Sequence, residues 1–399
     1  MIQILRNRSF RHIWLASLLS TIGSQISRVG LILYIFDRSH VVVNLALLVV
    51  LETLPGAVAA PLAGAVVDSL NKRIVMIASD LLRMSFMLAI LLRPTLGVIY
   101  LMASLHSIAT VFFQPARSAA IPLIVKPEEL PSANALEQSV TNLMLIAGPV
   151  IGALLLRRFG LTISLLLDAF SFLSSALLLS GVSIRRVERP RLKLSASAGV
   201  NEIREGWRDL LGHKLALHLN LLLFVALICT SIWIPLAPFF IRDHLGGADE
   251  LLGWQLSLFG LGAVVGGLIA PRLVRRFGLG VTLFAGFLAE AVSLGLYGIV
   301  FRVEASMVVV FLWGAVVSVV VVPFYSLLQQ IVEEQFLGRV FSLVKQSENV
   351  AIVLAMIGAV LLQDIVGSDL VFLLAGLVYF GCTVVSSFSL GGKVLLATR

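Results

Sequence analysis

The sequence predicts an all-α protein that crosses a lipid bilayer about twelve times, and three observations support this fold class. First, the chain of 399 residues is 59% hydrophobic and 13% charged, whereas soluble domains average about 25% charged residues. Second, its mean hydropathy is +1.01. Third, apolar stretches of roughly 20 residues, enough to cross a hydrocarbon core of about 30 Å, recur from end to end. Little of the chain is left for a soluble domain.

The expected spans fall into two groups of six, separated by the longest polar stretch, 183–214. Residues 200–211 of this stretch have the pattern of a short amphipathic helix lying at the membrane surface, although a plain tether remains open. We therefore expect an N-terminal six-helix bundle (1–182), a basic linker (183–214) and a C-terminal six-helix bundle (215–399). The spans are expected at 10–35, 42–66, 74–92, 97–116, 136–156, 161–182, 217–241, 252–271, 279–300, 305–327, 346–363 and 369–390.

The distribution of positive charge predicts how the chain is oriented. The net charge of +8 would by itself suit a nucleic-acid partner. With the N-terminus inside, however, 22 of the 30 Lys and Arg residues fall in cytoplasmic segments and 6 in outer loops, while Arg28 and Arg83 lie within spans. This is the positive-inside pattern of membrane proteins. We expect both termini in the cytoplasm, a location in the inner (cytoplasmic) membrane and no nucleic-acid partner.

A short polar turn between the second and third spans carries the most informative motif. Gly64 lies near the end of the second span, Asp68 follows that span, and Lys72 and Arg73 precede the third. Charges this close to hydrocarbon are costly and persist where they have a function. The second half repeats the basic turn at 267–276, and the exit of the fourth span at 113–122 has a counterpart at 323–339. Repeated six-helix halves of parallel orientation place a substrate site between them near the midplane.

These features resemble the major facilitator superfamily, whose hairpin motif is G-x-L-A-D-R-x-G-R-K. Ser69 and Asn71 depart from the motif's Arg and Gly. Within the superfamily, the chain is similar to the group of the enterobactin exporter and the macrolide efflux proteins. That similarity rests on Asn7-Arg8-Ser-Phe10-Arg11, Phe113-Gln-Pro115-Ala-Arg117, Ser132-Ala-Asn134-Ala-Leu136, Gly148-Pro149 and Gln329 … Gly338-Arg339-Val340.

The resemblance implies a secondary transporter, usually monomeric, whose first, fourth, seventh and tenth helices line a cavity. It also implies a gate formed by charged residues at the hairpins, although a charged turn that only sets topology remains an alternative. The expected gate residues are Gly64, Asp68, Lys72, Arg73, Asp80, Arg83, Arg117, Arg272, Arg276 and Arg339. Two features depart from the proton-coupled drug antiporters: the fifth-helix pattern has Met144 and Ala153 in place of glycines, and the fourth helix lacks their arginine.

Charged residues within the spans are the candidates for coupling or substrate binding. Arg28 on the first helix and Glu52 on the second lie at similar depths when counted at about 1.5 Å per residue. An intramembrane charge seeks a partner or a wet cavity. Glu52 could take up and release a proton as access alternates, or the two residues could form a static ion pair. Asp80 and Arg83, at i and i+3, are expected to pair on the third helix.

Other candidates have both a functional and a structural interpretation. Asp168 and Glu290 lie on the sixth and ninth helices, which usually face outward in this superfamily, so a structural role is expected first. His106 on the fourth helix is a candidate cavity residue or a packed, hydrogen-bonded histidine. Gln25, Trp233 and Tyr325 are candidate cavity-lining groups on the first, seventh and tenth helices. Gly148 and Pro149 are expected to bend the fifth helix.

No P-loop, metal-ligand cluster or nucleophile triad stands out in the sequence, so we expect neither an enzyme nor an ATPase, and no cofactor. The favoured interpretation is a proton-coupled antiporter for efflux of a small amphipathic compound, such as a drug, macrolide or siderophore, in the manner of multidrug resistance proteins. The alternative is a flippase of the same fold for a lysophospholipid or a lipid-linked molecule. The expected partners are the small-molecule substrate, protons and the lipid bilayer.

Overall fold

The apolar runs of the first half fold into long helices in the expected order. The structure is a computed structural model that describes residues 2–126, 129–184, 214–248, 250–332 and 334–397. The helices of the first half are α1 (Arg8–Ser39), α2 (Val42–Ser69), α3 (Lys72–Leu92), α4 (Leu96–Ala120) and α5 (Leu130–Ser180), with short 3-10 helices at Ile2–Arg6 and Ile121–Leu123.

The second half is built in the same way. Its seventh expected span is made of two helices and a π turn, where Pro235 and Pro238 remove two backbone donors from the hydrogen-bond ladder. The elements are α6 (Lys214–Ser231), α7 (Trp233–Phe239), the π turn Phe240–His244, α8 (Glu250–Phe277), α9 (Leu279–Gly298), α10 (Val303–Ile331) and α11 (Glu334–Ala397).

Two of the helices, α5 and α11, each contain two spans joined at one glycine. Gly160 has φ 74° and ψ 178°, and Gly367 has φ 80° and ψ 160°. Glycine adopts a positive φ readily because it lacks a Cβ atom, whereas other residues are strained there. An added Cβ at Gly160 would meet nothing within 4 Å, so the backbone angle rather than space requires glycine there. The connections between spans five and six, and between eleven and twelve, are therefore single-residue turns.

The helices are long and apolar enough for a multi-pass membrane protein. Within the described residues, eleven helical segments meet the length and hydropathy needed to span a bilayer. The remaining expected span, 136–156, falls on the first part of α5, where the backbone is helical. Large apolar side chains such as Phe170, Leu177 and Phe388 are exposed on the outside. The expected fold of about twelve membrane helices is confirmed.

The chain divides into two compact units, Met1–His40 with Leu47–Gly199 and Val41–Ala46 with Val200–Arg399. The two units show matching helix pairings. In the first unit, α1 packs on α5, and α3 packs on α4 and α5. In the second unit, α6 packs on α11, and α9 packs on α10 and α11. In the first unit, the Gly56 N–H of α2 donates to Ser107 Oγ of α4 at 3.0 Å. Residues 185–213 lie outside the described residues, so the expected linker and its domain boundaries stay a prediction.

Candidate functional site

The expected pairing of charges on α1 and α2 is present in the first unit. Arg28 Nε lies 3.3 Å from Glu52 Oε2, and the two side chains are 46% and 22% exposed. Gln25 lies three residues before Arg28, on the same side of α1 by helical spacing, and is half-buried. The pair is thus an intramembrane ion pair that remains partly accessible rather than sealed in the core.

A second group of charges lies deep inside the same unit. Arg83 forms an ion pair with Asp80 on α3, and Asp80 is fully buried. Ser175 on α5 donates a hydrogen bond to Asp80 Oδ2 at 2.6 Å. The Arg83 guanidinium also lies over two aromatic rings, 4.5 Å from the centroid of Phe113 and 4.6 Å from that of Phe172. The i, i+3 pairing expected from the sequence is therefore one part of a larger structure that joins α3, α4 and α5.

Asp168 on α5 is the other carboxylate of this interior and is also fully buried. Ser27 on α1 donates to Asp168 Oδ2 at 2.5 Å, and Ser171 lies 3.3 Å from Oδ1. We call Asp80, Arg83 and Asp168, with the three serines that contact them, the buried charge network. The serines were not among the expected site residues. Their spacing from Asp168, at i+3 and i+7 on α5, placed Ser171 and Ser175 on its face of the helix.

His106 lies on α4 beside the buried charge network. Its ring centroid is 5.7 Å from that of Phe172, and the side chain is half-buried. The Nδ1 atom is buried and finds no hydrogen-bond partner among the described residues. His106 is therefore packed in the interior of the first unit, and its role in a cavity stays a prediction.

The hairpin between α2 and α3 is held by contacts from its basic residues. Lys72 Nζ donates to the carbonyl of Val67 at 2.6 Å, and Arg73 donates to that of Val182 at 3.0 Å. Asn71, which departs from the superfamily motif, caps α3 by accepting a hydrogen bond from the Arg73 N–H at 3.0 Å. The departure from glycine thus has a local structural reason.

Arg117 at the end of α4 has a partner that the sequence did not reveal. Its Nη1 atom lies 2.8 Å from Oε2 of Glu137 on α5 and 3.1 Å from Oγ of Ser17 on α1. Arg117 also donates to Gln114 Oε1 at 2.8 Å. Glu137 is buried, so this contact ties together the ends of three helices in the first unit.

The remaining expected gate residues show fewer contacts. Arg272 and Arg276 are exposed; Arg272 donates to the carbonyl of Leu268, and Arg276 lies over the ring of Phe277. The others lie on described helices, but their side chains fall outside the described part of the chain. These are the gate residues Gly64, Asp68 and Arg339, and the same holds for Gly148 and Pro149, the expected bend of the fifth helix. Their roles stay predictions.

The candidates of the second unit are packed among aromatic and polar side chains. Trp233 is buried, with its ring 5.3 Å from Trp313 and 5.6 Å from Phe259. Glu290 on α9 is buried and accepts a hydrogen bond from the hydroxyl of Tyr379 at 2.9 Å.

Close by, the Tyr297 hydroxyl donates to Gln255 Oε1 at 2.8 Å, and Gln255 donates to Ser306 at 3.0 Å. Tyr325 on α10 donates its hydroxyl hydrogen to Glu348 Oε1 at 2.9 Å, and Lys345 lies 2.7 Å from the other oxygen of Glu348. Neither Gln255 nor Glu348 was among the expected site residues.

Comparison with known proteins places this arrangement in a family. A model of the transmembrane secretion effector family matches residues 2–386. Macrolide efflux protein A of Streptococcus pyogenes is 25% identical over 92% of this chain and 92% of its own length. The multidrug efflux pump Tap of Mycolicibacterium fortuitum is 26% identical over 90% of each chain.

A solved structure gives independent support for the fold. The crystal structure of a bacterial homologue of the iron transporter ferroportin, in an inward-facing state, matches with a TM-score of 0.75 at 17% identity. The match covers 95% of this chain and 98% of that one. At this identity the comparison concerns the fold alone. Because the family model covers nearly the whole chain and the relatives are transporters, the protein belongs to the transmembrane secretion effector family of major-facilitator transporters.

Proposed function

We propose that this protein exports a small amphipathic compound of the drug or macrolide class, by alternating access and in exchange for protons. The observation that carries the proposal is the ion pair of Arg28 and Glu52, with 3.3 Å between its atoms and both side chains partly exposed. Charged side chains inside the membrane are costly even when they pair with one another, and where they occur they usually mark a functional site. The names of the relatives, which refer to efflux of macrolides and drugs, support the substrate class. They do not favour a lipid flippase.

The ion pair suits a coupling role because its two states differ in charge. With Glu52 ionised, the pair is neutral and holds α1 to α2. When Glu52 takes up a proton, Arg28 loses its partner and carries an uncompensated charge, so the two helices are free to separate. A cationic substrate that binds the Glu52 carboxylate would compete with the proton for that group. Competition of this kind exchanges protons for substrate.

The hairpin and the charged helix ends are proposed as the gate. In the first unit, Arg73 is anchored to the carbonyl of Val182 and Arg117 to Glu137. These contacts hold the ends of α1, α3, α4 and α5 in one rigid piece, which alternating access by rocking of half against half requires. We further propose that both termini face the cytoplasm, that the protein lies in the bacterial cytoplasmic membrane and that it works as a monomer.

The proposal is tested by efflux of a fluorescent dye and a macrolide from cells expressing the wild type, Glu52→Gln or Glu304→Gln. Glu304 is an exposed glutamate at the start of α10 and serves as the matched control. We expect wild-type efflux to stop with a protonophore, Glu52→Gln to abolish it, and Glu304→Gln to leave it unchanged. Efflux that survives both the protonophore and Glu52→Gln would overturn proton coupling through this pair. No efflux of any macrolide or dye by the wild type would overturn the proposed substrate class.

A further inference from the structure

The buried charge network of the first unit is unbalanced. Among its described members, Asp80 and Asp168 are two acids and Arg83 is the one base. Arg83 pairs directly with Asp80. Asp168 lies within electrostatic reach of Arg83 but accepts hydrogen bonds from serines, and no cation of the described residues lies within 4.0 Å of it. With both acids ionised, the network would hold a net negative charge away from water. A buried acid in this position takes up a proton instead of remaining charged.

The charged and polar groups around Asp168 indicate which group of the network carries this proton. From α1 the facing group is the Ser27 hydroxyl, and from α3 they are Asp80 and Arg83. From α4, His106 lies near Arg83, while Arg117 is occupied by Glu137. A positive charge on His106 would be repelled by Arg83, so His106 does not balance the network. Because Asp80 already has its cation, the balancing proton falls on Asp168.

Helix α1 separates Asp168 from water. Gly23 and Ser27 are one turn apart on α1, and both lie against the carboxyl group. Ser27 donates to it, and a Cβ atom added at Gly23 would lie 2.6 Å from Asp168 Oδ1. The α1 backbone therefore lies directly against the acid. Water can reach Asp168 from this side only if α1 moves.

The same helix carries the ion pair of the proposed coupling site. Arg28 follows Ser27 in the sequence and points about 100° away around the helix axis. While Ser27 contacts Asp168, Arg28 contacts Glu52 on α2. A rotation or shift of α1 large enough to break one contact changes the other. The two sites are thus mechanically joined through adjacent residues.

We propose that Asp168 is a proton-binding site of the transporter, and that α1 controls both its access to water and the ion pair of Arg28 and Glu52. The link to efflux rests on the proposed function, whereas the bound proton does not. In the exchange, the Asp168 carboxylate takes a proton from water on one side of the membrane, forming an O–H bond. It returns the proton to water on the other side after α1 has moved.

Infrared spectroscopy of the reconstituted full-length protein tests the proposal without any substrate. A protonated carboxyl group has a carbonyl stretch that an ionised one lacks. We expect wild-type protein to show this band and Asp168→Asn to lose it. Asp80→Asn should also lose it, because Arg83 is then free to pair with Asp168 and the acid ionises. Asp243→Asn, at an exposed aspartate of the second unit, is the matched control and should keep the band.

Two further variants keep the test decisive. Glu290→Gln removes any contribution from the buried carboxyl group of the second unit, and the Asp168 band should remain. If Asp168→Asn does not fold, Ser27→Ala should shift the band, because the carboxyl group loses a hydrogen-bond donor. A wild type without the band would overturn the proposal. So would a band that keeps its full intensity in Asp168→Asn or in Asp80→Asn.

The outcome is separable from that of the efflux assay. A band that behaves as expected in a protein without efflux would leave the proton site in place and overturn only the proposed function. Proton-driven efflux by a protein whose band does not depend on Asp168 would support the proposed function and overturn only the proton site at Asp168.

Discussion

Replacing Arg83 with methionine should destabilise the first unit strongly, and the structure sets the size of the effect. Arg83 is 5% exposed, pairs with the fully buried Asp80 and lies between two aromatic rings. Removing one partner of a buried ion pair costs about 3–5 kcal/mol, because the carboxylate left behind must either stay charged without compensation or take up a proton. Methionine keeps the length and apolar contacts of the arginine stem and can itself contact aromatic rings. We therefore expect a loss at the low end, about 3 kcal/mol.

The assay is thermal unfolding of the purified protein in detergent. A loss of about 3 kcal/mol corresponds to a fall in Tm of roughly 6–12 °C for a unit of this size. The double variant Asp80→Asn with Arg83→Met should recover at least half of the fall, because no unpaired charge is then left and asparagine still accepts from Ser175. Arg93→Met, at the exposed end of α3, is the control and should leave Tm unchanged. A fall of less than about 3 °C for Arg83→Met, or a double variant less stable than the single one, would refute the reasoning.

Two further predictions concern the second unit and are measured as differences in Tm. A Cβ atom at Gly266 would lie 2.8 Å from the Cα atom of Ala315, so Gly266→Ala should push α8 away from α10 and cost about 1–3 kcal/mol. Gly267→Ala, next to it but with nothing within 4 Å, should be neutral or stabilising; equal effects of the two would contradict this packing. Tyr379→Phe removes one donor to the buried Glu290 and should cost about 1–3 kcal/mol. An unchanged Tm would mean that this carboxyl group has another donor.

Much of the fold is predictable because each span must be about as long as the bilayer is thick. The apolar runs locate the helices, although α8 continues to Phe277, beyond its expected end at 271. The turns at Gly160 and Gly367 are harder to predict, because a single residue with positive φ replaces the expected loop. Glycine is frequent in this sequence, and nothing in its immediate neighbours identifies these two as turns.

In the candidate site, the local contacts are predictable from the sequence and the contacts between distant segments are not. The pairing of Asp80 with Arg83 follows from their i, i+3 spacing, and that of Arg28 with Glu52 follows from counting depth along two adjacent helices. The contact of Ser27 with Asp168 joins residues 141 positions apart.

That contact depends on how α1 packs on α5, which neither periodicity nor hydropathy specifies. The partnership of Arg117 with Glu137 is hidden for the same reason. Polar contacts between helices that are distant in sequence can be identified only once the tertiary structure is known.

Uptake of a radiolabelled macrolide such as erythromycin into proteoliposomes tests the central claim most directly. An acidic lumen should drive accumulation by the wild type as protons leave in exchange, with protein-free liposomes subtracting passive trapping of a weak base. We predict accumulation above that background, its collapse with a protonophore, and background uptake by Glu52→Gln. Wild-type uptake equal to that of protein-free liposomes, or uptake unaffected by removing the pH gradient, would contradict proton-coupled transport by this protein.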